Sequence, residues 1–124
     1  MVAPHDRKYT SDHEWLLATE NTLTVGITQY AADALGDVVY VDLPAVGTAV
    51  TAGSAAGEIE STKSVGELIA PVTGTVAEIN QSVVDTPELI NGDPYGEGWL
   101  IRISDAVLPD TLLDASEYEA LTGE

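Results

Sequence analysis

The sequence predicts a mainly β fold, a sandwich or barrel of short strands with a few short helices, and three observations predict it. Val, Leu, Ile and Ala dominate the apolar residues, with no Phe, two Trp and five Tyr. Gly and Pro are scattered between short apolar runs, and from Asp37 onward those runs are regularly bounded by Gly, Pro or a polar turn, the signature of strands joined by tight connections. At 124 residues the chain fits one domain, 1–124, that can bury about two thirds of its unfolded surface.

After a polar lead-in, "HEWLLATENTLTVGIT" gives two apolar runs separated by Glu20, Asn21 and Thr22, a hairpin pattern. "TQYAADALG" places helix formers between a Thr28 cap and Gly36, which predicts a helix of about two turns. The runs "DVVYVDLP", "GTAVTAG", "AAGEIES", "VGELIAP" and "GTVAEIN" come next as β-prone segments. Between Asp85 and Gly98, two Pro, three Gly and four carboxylates predict a long ordered loop, leading into the strand "WLIRIS". At the C-terminus, Ser116 and Glu119 have capping-box spacing and Gly123 supplies a stop, so a short closing helix is expected, with Tyr118 and Leu121 sharing its docking face. Gly36, Val38, Val41 and Asp42 recur 38 positions later as Gly74, Val76, Ile79 and Asn80. This faint echo suits two similar half-sheets, one on each side of Lys63, packed around a shared core.

Asp and Glu number 21 against four Lys and Arg, a formal charge of -17. Such a surface repels phosphate backbones and anionic lipids, which argues against nucleic-acid and membrane partners. Salt adaptation, docking of basic partners and simple solubility all remain open as its meaning. The absence of cysteine removes disulfides, thiolate metal sites and cysteine nucleophiles. "MVAPHDRKYT" lacks the apolar segment of a signal peptide, and no uncharged apolar run reaches the roughly 18 residues needed to span a bilayer. A cytoplasmic protein is expected, or one of the mitochondrial matrix if a transit peptide has been removed.

Several chemical motifs fail on inspection. "GEIESTKS", Gly57 to Ser64, matches a phosphate-binding loop except at its second glycine, which is Thr62. Glu58 and Glu60 would oppose an anion, and Gly66 and Pro71 interrupt the helix that should come after it. His5, Asp12, His13 and Glu14 make a thin metal-ligand set, for which a solvated terminus is the simpler reading. There is no G-x-S-x-G, so nucleophilic hydrolysis has no support and no catalytic residue is assigned. Asn80-Gln81-Ser82 is a formal glycosylation triplet.

Beyond Arg7 and Lys8 in the lead-in, the only basic residues are Lys63 and Arg102. Lys63 stands in "EIES-TKS-VGELIAP", two short strands joined by a polar turn with the lysine at its tip. A tip lysine can serve solvation alone. It can equally be a modification handle, a long flexible stem on a fixed base, whose acyl group would become a reagent tethered at high effective concentration.

These residues carry a family resemblance. "ESTKSVGELIAPVTGTVAEIN" (Glu60 to Asn80) resembles the lipoyl-attachment hairpin of the H protein of the glycine cleavage system. "YTSDHEWL" (Tyr9 to Leu16), "VGITQYAADALGDVVYVDLP" (Val25 to Pro44), "LINGDPYGEGWLIRI" (Leu89 to Ile103) and "SEYEALTG" extend the likeness over nearly the whole chain. The resemblance implies a lipoyl/biotinyl-type flattened barrel or sandwich of two half-sheets, a hybrid hammerhead. It implies a carrier rather than an enzyme, a monomer bearing lipoic acid on Lys63 through an amide. Its implied partners are a pyridoxal-phosphate glycine decarboxylase that loads an aminomethyl group, a tetrahydrofolate-dependent aminomethyltransferase that unloads it, and a dihydrolipoamide dehydrogenase. A lipoyl or octanoyl transferase or a lipoate ligase would attach the arm. The loaded arm would fold back into a cleft where Glu14, Asp12 and Glu67 are the candidate partners of the amine, unless these acids are merely solvated surface.

Two other classes compete. A biotin-type or other acyl carrier also uses a hairpin lysine, but usually between methionines, whereas Thr62 and Ser64 flank Lys63 here. An unmodified acidic interaction module would need no lysine. Intact mass separates the three.

Overall fold

In a computed structural model the described residues are 3–19 and 21–123. They form nine strands: β1 (Lys8–Tyr9), β2 (Glu14–Thr19), β3 (Thr22–Ile27), β4 (Val38–Asp42), β5 (Ala49–Val50), β6 (Ala55–Ser61), β7 (Val65–Ile69), β8 (Thr73–Ile79) and β9 (Ile101–Val107). Four helices join them: α1 (Gln29–Leu35), α2 (Gln81–Asp85), α3 (Leu89–Gly92) and α4 (Ala115–Thr122). The strands make a six-stranded sheet, β1-β2-β3-β9-β8-β5, and a three-stranded sheet, β4-β6-β7. All pairings are antiparallel.

The expected mainly β architecture is therefore present, and alternation explains it. Val38, Val41, Ile59 and Leu68 of the small sheet and Leu16, Val25, Val76, Ile101 and Ile103 of the large one join a single buried cluster, the packing that two half-apolar sheets require. The echo pairs Val38 with Val76 on opposite sheets, both buried. The halves do not divide at Lys63, however: β7 comes after the lysine yet stays in the small sheet, because the β6–β7 hairpin is too short to cross between layers.

Helix α1 begins where Thr28 Oγ1 accepts the Ala31 N–H at 3.2 Å and ends at Gly36, φ 84°, as the sequence predicts. Two other expectations change. The 85–98 segment is not all loop, since α3 lies inside it, and α2 precedes it unannounced. The side chain of Asn80 caps α2 at Ser82 N, 3.2 Å, while donating to the carbonyls of Glu97 and Trp99 at 2.8 and 2.7 Å. The Asn80 amide is thus buried and fully engaged, which closes its triplet to glycosylation in the folded chain. The closing helix is capped by Asp114 with Glu117, not by Ser116 with Glu119. Both pairs have the same spacing, and the earlier one wins because it starts the helix at Ala115, which packs into the core. Gly123 supplies the left-handed stop at φ 80°. Of the expected docking pair only Tyr118 is buried, stacked on Tyr9 at 4.8 Å, and Leu121 is 53% exposed. In the β2–β3 hairpin, Thr22 already belongs to β3, paired with Thr19; Glu20 lies outside the described residues.

Nor is the lead-in merely solvated. Ala3, Tyr9, Trp15, Ala115 and Tyr118 form a second buried cluster. Arg7 stacks over Trp15 at 4.7 Å and donates to the Tyr95 carbonyl at 3.0 Å, so its charge caps this cluster instead of facing only water. Trp15 pairs across the hairpin with Gly26, and its ring lies over that glycine, where a Cβ would come within 2.6 Å of it. The indole N–H is fixed to the Pro94 carbonyl at 2.9 Å, so the ring cannot swing aside freely. Gly26→Ala is expected to destabilise the fold by about 1–3 kcal/mol through this overpacking, measured as a lower midpoint in urea; an unchanged midpoint would show that Trp15 has room to move.

Candidate functional site

The tip of the β6–β7 hairpin is the four-residue turn Ser61-Thr62-Lys63-Ser64. Ser61 organises it from a buried position. Its backbone N–H donates to the Ser64 carbonyl at 2.8 Å, and its hydroxyl oxygen accepts the N–H groups of Lys63 and Ser64 at 3.3 and 3.0 Å. Serine at the first position of a turn makes such local bonds readily. A further bond ties the tip to the body, from Thr62 N–H to the Asp37 carbonyl at 3.0 Å. Lys63 is exposed, and among the described residues its Nζ makes no hydrogen bond or ion pair. The stem passes close to Gly36, where a Cβ would sit 3.1 Å from Lys63 Cε. Beyond the lysine the chain enters strand β7, not a helix, so the phosphate-loop geometry is absent.

Beside the hairpin lies a cleft of about 200 Å³ lined by Ile27, Tyr30, Ala31, Ala34, Leu35, Ile59 and Gly66, with Asp12, His13, Glu14 and Glu67 also on its walls. Leu35, the last residue of α1, reaches over Gly66, where a Cβ would meet it at 3.1 Å. The C-terminal end of α1 is therefore shared by the lysine stem, at Gly36, and the cleft, at Leu35.

The three acids named from sequence all line this cleft, but they differ in kind. Asp12 and Glu67 are exposed, in keeping with solvated acids at a rim. Glu14 is not a surface acid, since only 2% of it is accessible. Its Oε2 accepts the Ile69 N–H at 2.9 Å, bridging β2 of the large sheet to β7 of the small one, and its Oε1 lies 3.3 Å from the Thr10 hydroxyl. Burial first, and the Asp12 charge second, push its pKa up to about 8, against the opposing pull of those two hydrogen bonds.

Both histidines of the thin ligand set have other neighbours. His5 faces Glu119 at 3.8 Å, and His13 Nδ1 lies 2.8 Å from the Tyr118 hydroxyl. Among the described residues no three His, Cys, Asp or Glu side chains gather as a metal site. His13, at φ 65° and 4.7 Å from the Tyr30 ring, is instead part of the cleft wall. Burial lowers its pKa. The apolar lining was not identified from sequence, because Ile27, Leu35 and Ile59 look there like ordinary core residues.

A β-sandwich presenting one exposed amine on a stiff turn, beside an apolar cleft with carboxyl groups on its walls, has the architecture of a swinging-arm carrier. The family model for the glycine cleavage H-protein matches residues 7–124. Among similar proteins, the glycine cleavage system H protein of Clavibacter sepedonicus is 59% identical over 117 residues, 94% of each chain. That of Beutenbergia cavernae is 57% identical over 122 residues, 98% of each. A crystal structure of a glycine cleavage system H protein from Mycobacterium marinum superposes with a TM-score of 0.91 at 49% identity, covering 98% of this chain and all of that one. The chain belongs to the glycine cleavage H-protein family and is a non-catalytic lipoyl carrier of the glycine cleavage system. Among the described residues no helix is long and apolar enough to cross a membrane.

The buried carboxyl gives a direct test. Because the folded-state value of about 8 lies above the ordinary 4.5, the neutral acid is favoured on folding. The stability this contributes is fully present below the ordinary value and is lost as pH rises through the folded one. Carboxyl NMR should place the Glu14 midpoint near 8 and move it down in Asp12→Asn. Glu14→Gln should flatten the fall in stability that urea melts record between about pH 5 and 9; a midpoint near 4.5 would refute the assignment.

Proposed function

We propose that Lys63 is the attachment point, bearing lipoic acid as an amide, and that the cleft beside the hairpin receives the arm. The observation that carries this reading is the pairing of a tip amine that has no partner among the described residues with a turn whose four backbone N–H groups are all hydrogen-bonded. The amine is mobile on its stem while its base is fixed. Acylation begins when the Nζ ammonium gives up one proton; the free amine then forms the amide bond to an activated carboxyl carbon, expels the activating group with the electrons of the broken acyl bond, and loses a second proton to solvent. It also removes one of the four positive charges of the chain.

The residues present fit the arm. A cleft of about 200 Å³ walled by Ile27, Leu35, Ile59 and Tyr30 lies below the range of drug-sized pockets, a space for one aliphatic chain. When bound, lipoic acid supplies a dithiolane, and through it the redox and one-carbon-carrying chemistry that a cysteine-free chain lacks. A protonated amine entering the cleft would favour the ionised form of Glu14 and donate a hydrogen bond to it, an interaction that low dielectric strengthens. Asp12 and Glu67 favour a cation at the entrance, and the apolar walls exclude water.

In this reading the single domain 1–124 acts as a cytoplasmic monomer. It passes the aminomethyl group of glycine from the pyridoxal-phosphate decarboxylase to the tetrahydrofolate-dependent aminomethyltransferase, and the reduced dithiol to dihydrolipoamide dehydrogenase. A lipoyl or octanoyl transferase or a lipoate ligase installs the arm. Lys63→Arg should yield protein with no lipoyl mass increment and no glycine cleavage in the reconstituted system. Its thermal midpoint should stay within about 2 °C of wild type, because an exposed tip side chain buries little. Retained activity, or a lipoyl group mapped elsewhere, would reject Lys63.

A further inference from the structure

Asn91 stands in α3, 28 positions beyond Lys63 in the sequence, and both ends of its carboxamide are used. Nδ2 donates to the Gly36 carbonyl at 2.8 Å, and Oδ1 accepts the Val38 N–H at 2.9 Å. The amide thus clasps one backbone segment on either side of Asp37. That segment is what the lysine turn rests on. The Asp37 carbonyl accepts the Thr62 N–H, and the Gly36 Cα leaves room for the Lys63 stem. At φ 84°, ψ -159°, Gly36 adopts a conformation essentially restricted to glycine, and because glycine has many other conformations open to it, contacts from outside the segment are needed to select this one. Val38 is buried, and without Asn91 its N–H would lose its partner away from water.

We propose that Asn91 is a positioning residue for acylation of Lys63, holding Gly36 to Val38 so that the turn and the lysine stem meet the modifying ligase in one fixed place. The proposal rests on Lys63 being the attachment point. The chain of contacts runs from the Asn91 carboxamide to the backbone of residues 36 to 38, from the Asp37 carbonyl to Thr62 N–H, and from there one residue to Lys63. Both polar ends of the Asn91 side chain are taken by backbone atoms. Asn91 acts entirely through the backbone it orients, and small misplacements of a reacting group are costly in rate.

The test uses the full-length apo-protein with lipoate, ATP and purified lipoate–protein ligase, with intact mass tracking the product. Asn91→Asp keeps the acceptor for Val38 N–H but sets an oxygen against the Gly36 carbonyl; Asn91→Ser removes both contacts without adding charge and serves if the first variant folds poorly. Ile103→Val, in β9 of the large sheet, is the control for lost stability alone. Both Asn91 variants should lose roughly tenfold in kcat/KM for the carrier, and exchange of the Thr62 amide should accelerate more than that of amides in β3 and β9. Unchanged kinetics and Thr62 exchange in the variants overturn the proposal, as does an equal kinetic loss in Ile103→Val. Failure of the wild-type protein to gain mass at Lys63 would instead remove the attachment reading itself, and this proposal with it.

Discussion

The structure depends on the burial of alternate apolar residues between two unequal sheets. A three-stranded sheet is near the smallest that holds together even with an apolar face to bury, and this one carries a self-repelling row. Asp42, Glu58 and Glu67 lie directly opposite one another across β4, β6 and β7, where like charges oppose pairing. What keeps it in place is Val38, Val41, Ile59 and Leu68 pressed against the larger sheet, reinforced by a carboxyl bridge from Glu14 to the Ile69 N–H. The hairpin that carries Lys63 belongs to this dependent layer. Its geometry is borrowed from the core beneath it.

Much of this was legible along the chain. Strands β6, β7 and β8 fall where short apolar runs meet Gly and Pro, and α1 starts and stops on its cap and its glycine. The exposed lysine between β6 and β7 was readable from the same punctuation. The small helices were not, since α2 contains paired valines that read as strand, and its cap depends on Asn80 meeting carbonyls of residues 97 and 99. In α4, two overlapping boxes offered the same spacing, and tertiary burial of Ala115 chose between them.

The site was legible only in part, for a related reason. Lys63 announces itself through charge in an acidic chain, and Glu14 stands in "YTSDHEWL", a stretch that carries the family likeness. That Glu14 is buried, whereas Asp12 and Glu67 are exposed, is a property of the packed sheets that no spacing of acids reveals. Asn91 gave no signal at all. Within "LING" it reads as a turn residue, and its partners at 36 and 38 are backbone atoms, which leave no trace in side-chain pattern.

The ties that shape the lysine turn are formed by backbone atoms and the Ser61 hydroxyl, and none involves Nζ. For the arm proposed on Lys63, cargo and scaffold are consequently decoupled: replacing an ammonium by an amide at this tip would break no bond that the turn relies on. The bare and acylated proteins can then share one shape. An enzyme that must tell them apart has to sense the appended group itself, or whether the neighbouring cleft is filled, because the hairpin offers it the same face in either case.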